Sequence, residues 1–448
     1  MALSGIQIFK LLPKTNCGKC GVPTCLAFAM NLAAGKAELS RCPDVSEEAK
    51  AQLQEASAPP IRPVTIGTGP RALKIGGETV MFRHEKRFES PPGLAVLLSD
   101  TMADEEINGR LARANQLQYE RVGLTLRPEL VAVKDTANDA AKFEALVSKV
   151  AMDTDCGIIL MSNNPDILAA GLKACTGRKT LLYAATKENW ERVASLAKTN
   201  SCSVAVKGAT LDEVADLTTK LNQSGINDIV IDSGARTMRQ AFQDQIIIRS
   251  SALTKKFRPL GFPTIVFPCE MTKDPMMETM IASVFIAKYG GIIVLSDFQG
   301  ESLFPLLVAR MNIFTDPQRP LATTQGVYEI GKPTETSPVL ITTNFSLTYF
   351  LVSGYIETSK VPSYLLVMDT EGLSVMTAWA AGKFVADAIG PFVKKSEVWN
   401  KVKHRKLIIP GYAAVESGGM EAELSGWEIV VGPRDGAMIP AYLKSWKQ

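Results

Sequence analysis

Short, almost wholly apolar runs recur along the chain from residue 93 onward: LAVLLS (94–99), RVGLTL (121–126), GIILMS (157–162), TLLYAA (180–185), SVAVKG (203–208), DIVIDS (228–233), TIVFPC (264–269) and GIIVLS (291–296). LVAVKD (130–135) competes with RVGLTL for the second place. Between many of them lie helix-period stretches such as PDILAAGLKACTG, NWERVASLAKTN and LDEVADLTTKLNQSG. Runs without polar alternation are those of parallel strands covered on both faces, and their alternation with amphipathic helices predicts βα units. Eight such units over about two hundred residues predict a TIM-type (β/α)8 barrel spanning 93–324.

A second pattern begins near residue 325. VLITT (339–343), SYLLVMD (363–369), KLIIPG (406–411) and EIVVGP (428–433) predict strands. SLTYFLVSGYIE and SVMTAWAAGKFVADAIGPFVKK predict helices between them, with a further helix expected at AVESGGMEAEL. The expectation is an open, Rossmann-like parallel sheet over 325–448, with its ligand at the carboxyl ends of the strands. Residues 58–92, rich in Pro and Gly, predict a linker with a hairpin. The whole is an α/β multidomain protein with a small N-terminal domain at 1–57.

Composition narrows the function. At 448 residues the chain exceeds one ordinary core, and 46% hydrophobic with 21% charged residues is globular usage. A net charge of +3 without a basic run argues against nucleic acid as a partner. MALSGIQIFKLLPKTNC is interrupted by Lys10 and Pro13, and MIASVFIAKYGGIIVLSDF by Lys288 and a glycine pair, so neither a signal peptide nor a membrane span is expected. A cytoplasmic location follows, in which clustered thiols read as metal ligands or redox groups. Only His84 and His404 are available, which withdraws most of the material for multi-histidine zinc sites and serine–histidine triads.

Half of the eight cysteines lie together, as Cys17, Cys20, Cys25 and Cys42 in a C-x2-C-x4-C-x16-C arrangement. Gly18 and Gly21 allow the backbone to curl and turn N–H groups toward sulfur, and LAFAMNLAAGKAEL predicts a helix supplying an apolar wall. The gaps favour an iron–sulfur cluster, with a zinc site and no metal at all as competing readings. Cys156, Cys175, Cys202 and Cys269 are scattered and read as buried small hydrophobes.

The barrel's expected strand ends carry Asp100, Asn163, Lys207, Asp232 and Glu270 without a defined acid–base pair, as ordinary strand closures also would. The C-terminal strand ends are more coherent: TTNFSLT (342–348), DTEGLSV (369–375), PGYAAVESGG (410–419) and GPRDGAM (432–438) offer hydroxyl, amide and glycine groups where helices begin. Capping residues in plain βα loops would look similar. No G-x-G-x-x-G follows the first strand, which weakens a dinucleotide reading. A cobalt corrinoid, wide and flat with peripheral amides, suits such a surface. The D-x-H-x-x-G stretch that supplies a lower histidine in many corrinoid domains is absent, and His404 in NKVKHRK precedes a strand. A bound corrinoid would then have no protein histidine below cobalt, which eases reduction to Co(I) and gives a nearby low-potential cluster a purpose.

With NCGKCGVPTCLAFA…RCP at its front and LITTNFSLTYFLVSGYIE…LLVMDTEGLSVMTAWAAGKF…PGYAAVESGGMEAELSGWEIVVGPRDGAMIP at its end, the chain resembles the large (gamma) subunit of corrinoid iron–sulfur proteins of the reductive acetyl-CoA pathway. Their archaeal counterparts in the acetyl-CoA decarbonylase/synthase complex share the resemblance, which covers essentially the whole chain. It implies one 4Fe-4S cluster on Cys17, Cys20, Cys25 and Cys42, a central TIM barrel, and a C-terminal domain holding a cobalamin-type corrinoid base-off. It places corrinoid contacts at Thr342, Thr343, Asn344, Ser346, Thr348, Thr370, Glu371, Gly372, Leu373, Ser374, Gly411, Ala414, Gly432, Pro433 and Arg434. It implies methyl carriage: Co(I) accepts a methyl group from methyltetrahydrofolate through a methyltransferase and delivers it as methyl-Co(III) to acetyl-CoA synthase/CO dehydrogenase, the cluster restoring Co(I) from Co(II). It also implies a heterodimer with a small TIM-barrel subunit. An electron-transfer subunit feeding a nucleotide cofactor is the alternative, and a pterin-binding barrel methyltransferase a weaker third.

Overall fold

The computed structural model describes residues 5–33, 36–46, 48–50, 53 and 58–446. The chain divides into two compact units, one made of Met1–Met81, Glu89–Ala114 and Glu129–Ser302, the other of Phe82–Phe88, Asn115–Pro128 and Leu303–Gln448.

In the first unit, helices Gly5–Leu11 and Cys25–Ala33 build a small apolar cluster around Phe28 and Ala29. The expected helix at 26–39 thus ends by Ala33, and its Ala34 and Gly35 lie outside the described residues. Strands β1 (Val64–Ile66) and β2 (Leu73–Ile75) pair antiparallel. The barrel strands are β3 (Gly93–Ser99), β6 (Leu130–Lys134), β7 (Gly157–Met161), β8 (Leu181–Ala185), β9 (Ser203–Lys207), β10 (Ile229–Asp232), β11 (Ile265–Val266) and β12 (Ile292–Leu295). All neighbours run parallel, in the order β10-β9-β8-β7-β6-β3-β12-β11. The seam between β10 and β11 is bridged by Ile231 and Thr264, giving a nearly closed eight-stranded barrel. Each strand is buried along nearly its whole length, as its unbroken apolar run requires. Helix starts are capped where the sequence offers an oxygen, as by Asp139, Asn164, Thr210 and Asp274. Val64, Ile66, Leu73 and Ile75 of the hairpin join the barrel's interior cluster. They enter from the strands' amino ends, where Gly67 meets Gly157 and Leu73 meets Gly93.

RVGLTL is not a barrel strand. It forms, with the residues before it, the hairpin β4 (Tyr119–Arg121) and β5 (Leu124–Leu126) of the second unit. Val122 and Gly123 both adopt positive φ, 51° and 72°, which turns the run back on itself. LVAVK takes the barrel place instead.

The second unit centres on a five-stranded sheet: β13 (Gly326–Ile330), β14 (Val339–Thr343), β15 (Ser363–Met368), β16 (Lys406–Ile409) and β17 (Glu428–Val431), ordered β13-β15-β14-β16-β17. β14 through β17 are parallel, whereas β13 is an antiparallel edge that the sequence reading did not foresee. The single long helix expected over 374–395 is two, Val375–Ala380 and Ala386–Lys395, because Gly382 takes φ 69° between them. Among the described residues no helix is long and apolar enough to cross a membrane.

Candidate functional site

The strand order reverses at β14: β15 is laid on one side of it and β16 on the other. Open α/β sheets form a crevice at such a point. Here the crevice is widened, because β14 and β16 pair only through Leu340 and Ile408. Two residues past Ile408 stands Pro410, which has no N–H to continue the ladder. A cavity of about 290 Å³ opens there, lined by Thr342, Thr348, Leu351, Val352, Tyr355, Val375, Tyr412, Gly432, Pro433, Arg434 and Asp435 among others.

Thr342 and Thr343 are 1% and 0% exposed, and the hydroxyl of each is buried without a hydrogen-bond partner. Orphaned buried hydroxyls are costly, and that of Thr342, which lines the cavity, marks a place for a polar group of a ligand; Thr343, the next residue of β14, faces the other side of the sheet. The loops close tightly beside them. A side chain on Gly411 would meet Gly432 O at 2.6 Å and Arg434 N at 2.7 Å, and Gly411 N–H donates to Pro433 O at 3.1 Å. Arg434 lies over the Tyr412 ring, 6.0 Å from its centroid.

The other expected contact residues serve the loops themselves. Asn344 Oδ1 accepts from Thr370 N–H at 2.9 Å, Thr370 Oγ1–H at 3.1 Å and Gly372 N–H at 3.0 Å, while its amide donates to Asp369 Oδ1 at 2.9 Å. Glu371 and Gly372 take positive φ to make that turn, and exposed Glu371 pairs with Lys383. Thr370 Oγ1 also approaches Leu373 O, and Ser374 shares a hydrogen bond with Thr377. Ser346 N–H donates to Leu321 O, and Ala414 O accepts from Ser417 Oγ–H. The sequence reading did not single out Leu351, Val352 and Tyr355, although with Thr348 they keep the i, i+3, i+4, i+7 spacing of one helix face.

Neither histidine reaches this edge of the sheet. His404 Nε2–H donates to Ser337 O at 2.8 Å and its Nδ1 accepts from Lys406 N–H at 3.2 Å, at the strands' opposite ends. His84 stacks on Phe82.

In the first unit Cys20, Cys25 and Cys42 are buried in the N-terminal apolar cluster, while Cys17 is exposed. Gly18 and Gly21, at φ 71° and 83°, curl the loop, closed by Gly21 N–H to Gly18 O at 2.9 Å. Asn16 Oδ1 accepts from Cys25 N–H, and Lys19 pairs with Asp44, whose carboxylate stands 3.5 Å from Cys17 Sγ. Among the described residues no three His, Cys, Asp or Glu side chains converge around a single-ion position. Three thiols sharing one apolar pocket beside a glycine-curled loop fit a sulfur-ligated metal group.

At the barrel's carboxyl end the charges answer one another. Tyr183 O–H donates to Asp232 at 2.6 Å, Arg236 donates to Asp232, Tyr183 and Glu270, and Lys134 donates to Glu270 at 2.8 Å. Asp100 caps Thr136 N–H and Ala137 N–H, Asn163 O accepts from Asn189, and Lys207 ends β9 half-buried. Cys269 is pushed up to about 12 by burial, with Glu270 adding to it.

Residues 63–443 match the family described as CO dehydrogenase/acetyl-CoA synthase delta subunit, and residues 12–43 match one described as a putative Fe-S cluster. The corrinoid/iron-sulfur protein large subunit of Moorella thermoacetica is 45% identical over 445 residues, covering 99% of each chain. The acetyl-CoA decarbonylase/synthase complex subunit gamma of Methanopyrus kandleri is 35% identical, over 99% of this chain and 97% of its own. The gamma 1 subunit of Methanosarcina mazei is 34% identical, over 99% and 98%. With relatives 34–45% identical over 97–99% of both chains, the chain belongs to the family of corrinoid/iron-sulfur protein large subunits and acetyl-CoA decarbonylase/synthase gamma subunits.

Proposed function

We propose that the chain is the methyl-carrying component of a corrinoid-dependent transfer system, delivering methyl groups from a methyltetrahydrofolate methyltransferase to acetyl-CoA synthase/CO dehydrogenase. When bound, the corrinoid supplies a cobalt nucleophile and methyl carrier, and a 4Fe-4S cluster supplies the single electrons that keep cobalt reduced. The observation that carries this reading is the orphaned hydroxyl of Thr342 on the wall of a mostly apolar cavity at the parting of β14 and β16. A corrinoid brings amide and phosphate groups for such hydroxyls, together with an extended apolar face for the rim.

The assignment of residues follows from their places. Thr342, Thr348, Gly432, Pro433 and Arg434, which line the cavity, would touch the corrinoid directly, and Thr343 would meet it from the end of β14. Asn344, Thr370 and Gly372 would hold the loop 369–374 in shape, and Gly411 would keep loops 410–416 and 432–436 close enough to form one cradle. That no protein histidine would sit below cobalt is supported by both ring nitrogens of His404 being engaged at the far edge of the sheet; the corrinoid would bind base-off. Cys17, Cys20, Cys25 and Cys42 would ligate the cluster, with three of them shielded from water and Cys17 marking the edge nearest solvent. In this reading residues 1–57 are the cluster domain, 58–92 the joining segment, 93–324 the TIM barrel as scaffold, and 325–448 a Rossmann-like corrinoid domain. A small TIM-barrel subunit completes a cytoplasmic heterodimer.

The test is metal analysis with anaerobic visible and EPR spectra of the protein purified with its small subunit. About four irons and one cobalt per chain are expected, with a base-off Co(II) signal giving way to Co(I) absorbance on adding a low-potential reductant. Iron without cobalt, in protein from a cobalt-replete native host, would overturn the reading in favour of a nucleotide-binding electron-transfer subunit.

A further inference from the structure

Helix Val375–Ala380 begins where the loop after β15 ends, and its first residue lines the cavity between β14 and β16. Four residues on, and so on the same helix face, Trp379 leaves 36% of its surface exposed. Its indole N–H nevertheless donates to Glu416 Oε1 at 2.7 Å. The other oxygen of that carboxylate accepts from Ala386 N–H at 2.9 Å. Glu416 thereby joins three pieces of the strand-end surface: the segment after β16, the tryptophan's helix and the start of Ala386–Lys395. Because the indole's one polar atom is spent, what Trp379 still shows to solvent is aromatic carbon. On the same helix Met376 is 44% exposed, and on the segment after β16 that carries Glu416, Tyr412 and Val415 are 57% and 70% exposed; Tyr412 itself lines the cavity. Exposed apolar residues on the two segments that supply Val375 and Tyr412 to the pocket, one of them an aromatic ring anchored by a carboxylate, offer a surface to be covered.

We propose that Trp379, oriented by Glu416, is the wall against which the corrin macrocycle packs, and hence a positioning residue for the cobalt. The inference rests on the corrinoid reading above. A flat conjugated macrocycle takes up apolar area rather than hydrogen bonds over most of its surface, and tryptophan supplies that area with only two torsions to fix. Glu416 has fixed them before the ligand arrives, so the ordering cost does not count against binding.

The experiment uses the full-length chain with its small subunit, stripped of corrinoid and titrated with hydroxocobalamin under a mild reductant that yields Co(II). Trp379→Ala should weaken binding about ten- to hundredfold and alter the cobalt hyperfine pattern in the Co(II) EPR spectrum. Trp379→Phe, which keeps a ring, should recover most of both, and Glu416→Gln, which removes the indole's acceptor, should fall between. Thermal midpoints of the corrinoid-free proteins are measured alongside. Equal affinity and equal spectra in all three variants would overturn the inference. So would a Phe variant as impaired as the Ala variant with matching losses of thermal stability, since the side chain would then be structural only. If the unaltered protein bound no hydroxocobalamin, the corrinoid reading would fall and this inference with it; unaltered binding with unaffected variants removes this inference alone.

Discussion

Thr342, Thr343 and Asn344 are consecutive, similar in polarity and almost completely buried, yet they do opposite things for the ligand-free fold. Asn344 spends its amide on loop 369–372. The two threonine hydroxyls have nothing to bond to. Burying a hydroxyl without a partner costs about 1–3 kcal/mol, so Thr342→Val should leave the corrinoid-free protein as stable as before or about 1 kcal/mol more stable. The same substitution should weaken corrinoid retention. Asn344→Ala should cost about 1–3 kcal/mol of stability by stranding buried N–H donors. Urea midpoints of the corrinoid-free variants check the contrast, and a Thr342→Val protein as destabilised as Asn344→Ala would show that its hydroxyl is satisfied in the ligand-free state. The sequence marked all three as one motif. Which hydroxyl is free and which amide is committed depends on where β14 parts from β16, and that is a property of the pairing.

Among elements, the hairpin β4–β5 shows how two residues can defeat an apolar pattern. RVGLTL has the composition of a barrel strand, but Val122 at φ 51° and Gly123 at φ 72° form the two-residue turn that hairpins favour. A β-branched residue in the left-handed region is strained by about 1–2 kcal/mol. Val122→Asn, giving the Asn-Gly pair preferred at this turn, should therefore stabilise the hairpin by about 1 kcal/mol. Slower amide exchange at Tyr119–Leu126 with methyl-transfer activity unchanged is the expected result, and faster exchange would show that Val122 packs more than it strains. The same lesson applies to helix 374–395, which Gly382 divides. Seven of the eight barrel strands and the four parallel C-terminal strands were legible because both-face burial leaves a run of apolar residues with no polar interruption; for the remaining barrel place the sequence left LVAVKD competing with RVGLTL. The edge strand β13 was not, since its one covered face leaves GVYEI short and mixed.

On the scale of the whole molecule, the barrel closes at one end with the apolar hairpin β1–β2 and carries charge at the other. Asp232 is 2% exposed and depends on Arg236 and Tyr183. Burial and the neighbouring Asp232 together hold the Tyr183 hydroxyl well above its usual range, so it remains a donor. Arg236→Ala would leave a buried carboxylate without its cation and should cost about 3–5 kcal/mol, read as a lowered thermal midpoint; a loss below 1 kcal/mol would mean that Asp232 is solvated when Arg236 is gone. Glu270 supplies a pH dependence. Burial alone would raise its carboxyl, but hydrogen bonds and charge from Lys134 and Arg236 outweigh that and hold it below 4.5. A carboxyl lowered by folding contributes stability that is complete above its unfolded value and is lost as pH falls through its folded value. Stability should therefore decline below about pH 4.5, and Glu270→Gln should flatten that decline. An unchanged acid profile would assign it to other carboxylates.

The sequence alone determined the α/β class, the barrel, the cysteine loop and the strand ends that matter, because each rests on local periodicity or on spacing along the chain. Only the tertiary structure decided which apolar run entered the barrel, and that β14 and β16 separate past Leu340 and Ile408. It also decided that Glu416 reaches Trp379 across 37 residues. These outcomes depend on which segments compete for one place in space. That competition is settled by packing and hydrogen-bond closure between residues far apart in the chain, where local pattern carries no information.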